Sequence, residues 1–318
     1  MLSWRLLMSA ILVPSLVALF WLDHSLGSTA WLLLAFCSFI AVRNAFELTD
    51  LLNVRAIRTH FPVVAVLSLL VVVSGWGHVL ASGAATSPPG RLDSLGSEGA
   101  MLSASEPLLI SLGWIGAALT AAFCALLVLE AVRYQEPGQS MESLGANLLT
   151  VFYAGGLMAV TAQMRWFPNP QAGYFVIASM IICVKCGDTF AYTFGRLWGK
   201  RKMAPKLSPG KTWMGLVGAI CGSTVGGWLW LTFGASLFDV KPESASLWIV
   251  LGYSASLGVI GLIGDLCESL IKRDVQKKDS AALMPGFGGL LDLLDSPLFA
   301  GPFALAWWHL LPPAAFAV

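Results

Sequence analysis

Six ionisable residues lie within or beside hydrophobic stretches in the second half of this sequence: Lys185, Asp188, Asp265, Glu268, Asp292 and Asp295. Asp292 and Asp295 are three residues apart, so on a helix they share one face. Together with Asp265 they could bind a hard cation, because Mg²⁺ prefers a few carboxylates combined with phosphate oxygens. Lys185 and Asp188 have the same spacing, and they could instead neutralise each other as a simple ion pair.

Two basic segments flank these acids. The first runs from Gly195 to Trp213, carries six Lys and Arg residues, and ends in Ser-Pro-Gly-Lys-Thr-Trp; the second is Lys272–Asp279. Anionic lipid headgroups explain basic charge beside a membrane, but they do not explain this order of residues. A lysine and a threonine at a helix start are suited to phosphate, which binds backbone N–H groups there. The spacing is not that of a Walker A loop.

The rest of the sequence is that of a membrane protein. It is 57% hydrophobic and 12% charged, whereas a soluble domain carries about 25% charged residues. A transmembrane helix needs roughly 20 apolar residues. The hydrophobic runs predict an all-α, polytopic membrane protein with nine spans, at about 5–22, 29–42, 61–83, 107–132, 145–163, 172–192, 213–235, 246–268 and 294–316. The net charge of +1 gives no argument for a nucleic-acid partner.

Ionisable groups at membrane depth are unfavourable by at least ~2.5–3.5 kcal/mol each, so several of them indicate an internal polar cavity. Up to about residue 180 the spans hold almost none. We therefore divide the chain into residues 1–170, a transmembrane bundle without a recognisable motif, and residues 171–318, a catalytic region with cytoplasmic loops 195–212 and 271–291. The acidic residues could bind a metal, the basic residues could bind phosphate, and the apolar helices could surround lipid tails. Together these features predict phosphoryl or nucleotidyl transfer to a lipid.

Lysine and arginine placement predicts the orientation. With a cytoplasmic N-terminus, fifteen of these residues lie on the cytoplasmic side and three on the other, with Lys185 inside a span. The Gly-, Ser- and Pro-rich segment 84–106 then lies outside. We expect a multi-pass protein of a bacterial-type inner or cell membrane, with its active site on the cytoplasmic face; a homodimer is one option.

The residues from 265 to 296 resemble the signature of the phosphatidate cytidylyltransferase (CDP-diacylglycerol synthase) family. That signature runs S-x-x-K-R-x-x-x-x-K-D, then P-G-H-G-G, then L-D-R-x-D. Here it begins at Ser269, continues through Pro285–Gly289 and ends at Asp295. The stretch from Asp188 to Trp213 resembles the family's upstream motif. The resemblance covers roughly residues 180–300.

Two positions depart from the family pattern. Phe287 stands where the family commonly has His, and Leu293 stands where it commonly has Arg. Either these polar groups are dispensable, or the substrate differs, or activity is lost. The retained acids and lysines favour an active enzyme.

The resemblance implies that CTP and phosphatidic acid give CDP-diacylglycerol and pyrophosphate with Mg²⁺ or another divalent cation. The lipid phosphate attacks the α-phosphorus of CTP, so no general base is needed. We expect Asp265 and Asp292 to bind the metal, with Asp295 and Asp188 close by. The implied phosphate-binding residues are Lys211, Lys272 and Arg273; the implied substrate-binding residues are Ser208, Thr212, Ser269, Lys278, Asp279, Gly288 and Gly289.

Three other functions fit parts of the pattern. A transporter would explain many spans and buried charge, but it predicts inverted repeats, and charge enters only one half of this chain. Another CTP-dependent lipid cytidylyltransferase or a CTP-dependent lipid kinase would use a similar site. A catalytically silent paralogue would bind lipid or a partner without turnover.

Overall fold

The computed structural model describes residues 2–55, 57–82, 97–238, 242–243, 246–283 and 288–316. Within these residues the chain is nearly all helix, which confirms the predicted all-α class. Segment 84–96 of the predicted outer loop, and Phe287, lie outside the described residues. The helices are α1 Leu2–Ser25, α2 Trp31–Asn53, α3 Phe61–Ser74, α4 Gly77–Ser82, α5 Ser97–Arg133, α6 Ser140–Thr150, α7 Leu157–Ala162, α8 Gly173–Trp198, α9 Trp213–Phe233, α10 Leu247–Asp274 and α11 Leu290–Leu310.

Seven helical stretches among the described residues are long and apolar enough to cross a membrane, so the chain is a multi-pass membrane protein. The count of nine spans is not confirmed. The third predicted span contains α3, an apolar helix of only 14 residues. The ninth corresponds to α11, a helix of 21 residues with two aspartates and two prolines that is not among the seven. The fifth consists of α6 and α7 joined by a π-helical turn, Val151–Gly156.

Helix α2 corrects the second predicted span, which was expected to end at residue 42. The helix continues through Arg43 to Asn53. Hydropathy falls at Arg43, but the helix does not end there, because Arg43 pairs with Glu47 one turn later at 3.0 Å. Asn44, Glu47 and Thr49 are buried. The N-terminal half of the chain therefore also contains buried polar groups.

The chain forms two compact units, and the first comprises Met1–Gln163 and Asp279–Leu291. Its apolar core is drawn from α2, α3, α5 and the α6–α7 segment, with Ala45, Val64, Val71, Leu126 and Val151 all buried. The final part of the predicted 271–291 loop belongs to this unit rather than to the predicted C-terminal region.

The second unit comprises Met164–Lys278 and Asp292–Val318. Its helices α8 and α9 approach closely along a stripe of glycines spaced four residues apart. A Cβ at Gly222 would lie 2.5 Å from Cβ of Phe190 and 2.6 Å from the Cys186 carbonyl oxygen. Gly218 and Gly226 make similarly close approaches to α8. Small residues allow helices to pack backbone to backbone in a membrane, and here they fix α9 against the helix that carries Asp188.

The basic segment between α8 and α9 is a β-hairpin rather than an irregular loop. Strand β1, Lys202–Ala204, pairs antiparallel with β2, Ser208–Thr212. Thr212 then starts α9, its side-chain oxygen accepting the N–H of Gly215 at 3.0 Å. Threonine is a favourable residue at this capping position. A second short pair, β3 Pro242–Glu243 with β4 Ala315–Phe316, completes the unit.

Helix α10 extends further than its predicted span, which ended at 268, and it includes Lys272 and Arg273. These residues were predicted to begin a loop. Basic residues are favourable in the last turn of a helix, and Lys272 is neutralised by acids on both sides, so the helix continues past its apolar stretch.

Candidate active site

Three carboxylates meet between α10 and α11. Asp265 and Glu268 are one turn apart on α10, and Asp295 lies one turn into α11. One oxygen from each lies within 4.8 Å of the others, the only such acidic group among the described residues. Helix α10 approaches α11 closely because Gly264 has no side chain: a Cβ there would be 2.7 Å from Cβ of Phe299.

The environment of Glu268 fits a bound cation. Its side chain is 1% exposed, and Oε1 has no hydrogen-bond partner within the described part of the chain. A buried carboxylate oxygen without a partner is energetically costly. A hard divalent cation takes carboxylate oxygens as ligands, so Asp265, Glu268 and Asp295 form a suitable donor set.

Lys272 lies between two acids. Its ammonium group donates to Glu268 Oε2 at 2.5 Å and to Asp292 Oδ1 at 2.6 Å. Asp292 is thus held by a base on α10, while Asp265 is grouped with Glu268 and Asp295. The structure therefore brings together a different acidic set from the expected Asp265 and Asp292 pair, although all these residues lie in the same two helices.

Lys211 reaches the acids from the β-hairpin. Its ammonium group forms an ion pair with Asp265. Burial by itself lowers the pKa of Lys211, but the neighbouring Asp265, Asp188 and Asp295 carboxylates outweigh it and raise the pKa above its usual value. Lys211 is therefore positively charged at neutral pH, in contact with the acidic group.

Lys185 links α8 to α11. Its ammonium group lies 3.4 Å from Asp188 Oδ2, so the ion pair that was one of the two alternatives for these residues forms. It also donates to the backbone carbonyl of Leu293 at 3.1 Å. Asp188 pairs with Lys185 and is not one of the three grouped carboxylates.

The charges of this cluster do not cancel. Five carboxylates (Asp188, Asp265, Glu268, Asp292 and Asp295) face three ammonium groups (Lys185, Lys211 and Lys272). With all groups ionised, five negative and three positive charges leave two negative charges. A divalent cation held here would supply the charge that neutralises this excess.

The other expected substrate-binding residues have varied surroundings. Ser269 donates to Asp265 Oδ1 at 3.4 Å, so it borders the acidic group. Arg273 donates to the Leu207 carbonyl of the hairpin and to the Lys277 carbonyl.

Ser208 pairs with Ala204 in the hairpin. Thr212 is 2% exposed and caps α9, which gives it a structural role. Lys278 and Asp279 are exposed.

Gly288 and Gly289 belong to the first unit. Gly288 has φ of 90°, a backbone conformation that favours glycine. Gly289 is buried against Glu47 and Ser280.

Sequence reasoning named Glu268 as a buried charge but gave it no role in metal binding. Its position three residues after Asp265 was the available signal, since that spacing places two carboxylates on one helix face. Glu47 was missed altogether, because the second span was expected to end before it.

The chain is similar to known cytidylyltransferases. The model of the cytidylyltransferase family matches residues 100–311. A phosphatidate cytidylyltransferase of Haemophilus influenzae is 32% identical over 199 residues, 62% of this chain and 66% of that protein. One of Chlamydia trachomatis is 37% identical over 138 residues, 43% of this chain and 44% of that protein. One of Staphylococcus aureus is 34% identical over 155 residues, 49% of this chain and 55% of that protein. The matched stretches thus span 44% to 66% of these relatives' own lengths.

Proposed function

The chain belongs to the cytidylyltransferase family, and on this premise we propose that it is a phosphatidate cytidylyltransferase. It converts CTP and phosphatidic acid to CDP-diacylglycerol and pyrophosphate. A phosphate oxygen of the lipid forms a bond to the α-phosphorus of CTP, and the bond from that phosphorus to the β-phosphate oxygen breaks. The lipid phosphate is already anionic at neutral pH, so the reaction needs no general base.

The observation that carries this proposal is the group of Asp265, Glu268 and Asp295, with Lys211 and Lys272 each bonded to one of its members. Nucleotidyl transfer moves a highly charged triphosphate, so catalysis consists largely of positioning and electrostatic stabilisation. Carboxylates that hold a cation and lysines that contact phosphate are the groups such a reaction requires.

Asp265, Glu268 and Asp295 would hold the divalent cation, which we propose is Mg²⁺. When bound, it neutralises charge on the triphosphate and on the departing pyrophosphate. Lys211 and Lys272 carry fixed positive charge beside these acids, so they orient phosphate oxygens of the substrates. Glu268 and Asp295 are buried, which limits the access of water as a competing nucleophile.

The replacement of the family's usual arginine by Leu293 is compatible with activity. The Leu293 backbone carbonyl accepts a hydrogen bond from Lys185, and any residue at this position supplies that carbonyl. Lys185 also places a positive charge beside the first turns of α11. We therefore propose that the site is active without an arginine at position 293.

We further propose that the site opens to the cytoplasm. The fifteen-to-three distribution of Lys and Arg supports this orientation. The β-hairpin that supplies Lys211 carries much of that charge, since Lys202, Lys206 and Arg201 lie in or beside it. Phosphatidic acid would enter from the surrounding bilayer and CTP from the cytoplasm.

The direct test is purified protein in detergent with phosphatidic acid and CTP labelled at the α-phosphorus. We expect labelled CDP-diacylglycerol and pyrophosphate in equal amounts, only when a divalent cation is present. Release of CDP with a phosphorylated lipid would identify a lipid kinase instead. Binding of CTP without turnover, in protein whose folding is verified, would identify a silent paralogue.

A further inference from the structure

Glu47 on α2 is the most deeply buried carboxylate among the described residues of the first unit, and the site described above does not use it. Its side chain is 0% exposed. Arg43, one turn earlier, donates to Oε1 at 3.0 Å and provides the opposite charge. Burying a carboxylate is unfavourable unless it is paired and hydrogen-bonded. The other hydrogen-bond donors to Glu47 therefore indicate the role of this buried charge.

Those partners come from a segment more than 200 residues away. The backbone N–H of Leu290 donates to Glu47 Oε1 at 3.0 Å, and that of Leu291 donates to Oε2 at 2.9 Å. These are first-turn amides of α11, which lack acceptors within their own helix. A negative charge is also favourable at a helix N-terminus. Glu47 therefore caps α11 from another part of the chain.

The same carboxylate holds the chain before α11. The Ser280 hydroxyl donates to Glu47 Oε2 at 2.9 Å. Ser280 and Leu290 thus bind one side chain, although ten positions separate them. Ser280, within the connection between α10 and α11, and Leu290, where α11 begins, are therefore attached to the same carboxylate.

Gly289 shows how tightly this carboxylate is enclosed. A Cβ at Gly289 would overlap the Glu47 carboxylate and the Ser280 hydroxyl. The absence of a side chain at 289 is thus required by the approach of Glu47. Close packing against Glu47 therefore explains why position 289 is a glycine without any contact to substrate.

We propose that Glu47 is a positioning residue for cytidylyl transfer: its buried carboxylate fixes the residue at which α11 begins. The inference rests on the proposed function. Asp292 follows Leu291 directly in α11, and Asp295 lies one turn later. A shift in the start of this helix changes the orientation of both carboxylates, so Glu47 acts on the reaction without touching substrate.

The test compares Glu47→Gln with Glu130→Gln in full-length protein. Glu130 is a matched control because it is a buried carboxylate of the first unit that accepts a hydroxyl hydrogen bond, from Ser143 at 2.6 Å. Hydrogen exchange is measured on peptides that cover residues 288–292. We expect Glu47→Gln to accelerate their exchange about tenfold or more, since hydrogen bonds to a charged acceptor are lost. Glu130→Gln should leave it unchanged.

Kinetics on the same proteins provide the second readout. Glu47→Gln should lower kcat about tenfold or more, with KM for CTP changed less than threefold, because Lys211 and its hairpin are untouched. Glu130→Gln should retain kcat. Equal loss of kcat in both variants would assign the effect to general destabilisation and overturn the proposal.

The two readouts separate this proposal from the proposed function. Unchanged exchange at 288–292 in Glu47→Gln refutes the role of Glu47, whatever reaction the protein catalyses. Accelerated exchange in a protein whose wild type makes no CDP-diacylglycerol refutes the proposed function but retains the cap. If Glu47→Gln does not fold, Ser280→Ala removes one hydrogen bond to the same carboxylate, and it should change both readouts in the same direction by a smaller factor; no change in either contradicts the proposal.

Discussion

At the scale of single residues, the acids of α10 and α11 divide into two kinds. Asp265, Glu268 and Asp295 converge on one another, and Asp292 is not in that group. Lys272 holds both Asp292, at 2.6 Å, and Glu268, at 2.5 Å. Converging carboxylates repel one another. Lys211 and Lys272 pair with Asp265 and Glu268, and a divalent cation among the three acids would offset the repulsion further. We therefore propose the converging group as the metal site, with Asp292 orienting Lys272.

Substitutions in the converging group test this division. Asp265→Asn and Asp295→Asn should each lower kcat about 100-fold and raise the Mg²⁺ concentration needed for half-maximal rate. Residues that act as one unit are not additive, so the double variant should be little worse than either single one. Multiplicative losses with an unchanged Mg²⁺ requirement would show that these acids do not share a cation.

Lys211 can be tested against a lysine of the same hairpin. Lys211→Ala removes the ammonium group bonded to Asp265, and we expect kcat/KM for CTP to fall about tenfold or more, as for a lost charge-assisted contact. Lys202→Ala is the control, because Lys202 is an exposed residue of β1. If the two substitutions have equal effects in steady-state assays, Lys211 acts only as a basic residue at the membrane surface.

At the scale of secondary-structure elements, glycines determine how closely the helices of the second unit approach. Gly218, Gly222 and Gly226 bring α9 against α8, and Gly264 brings α10 against α11. Neither arrangement leaves room for a β-carbon. The helices that carry the acids are thus held at short distances by the absence of side chains.

Gly222→Ala should destabilise the protein by about 1–3 kcal/mol, because a methyl group has to be accommodated in a packed interface. Thermal unfolding in detergent measures the loss. Gly116→Ala on α5 is the matched control, since a Cβ there meets no atom within 4 Å. If both variants unfold at the temperature of the wild type, close packing at Gly222 does not contribute to stability.

At the scale of the whole molecule, the distribution of basic residues makes a prediction about topology. In a variant without its six native cysteines, a cysteine at Ser208 should react with a membrane-impermeant reagent only from the cytoplasmic side. A cysteine at Ser87, which lies outside the described residues, should react only from the opposite side. The reverse pattern in intact cells would refute the orientation.

The sequence by itself determined the membrane class, the family resemblance and the residues that surround the site. Long uncharged runs are incompatible with the water-exposed surface of a soluble protein. A signature with fixed spacing identifies the acids and lysines of the site without coordinates. Helical spacing also offered the Lys185–Asp188 ion pair as one of two alternatives, because residues three apart on a helix are neighbours in any fold.

Only the tertiary structure decided which of these residues lie in contact with one another. Whether the Asp265 carboxylate is grouped with Asp292 or with Asp295 depends on the rotation of α11 relative to α10, and a hydropathy pattern does not fix that rotation. The role of Glu47 depends on a contact between residues 47 and 291, since the amides at the start of a helix donate to any suitably placed carboxylate. Spacing along the chain determines neighbours on one helix, whereas packing determines neighbours between helices.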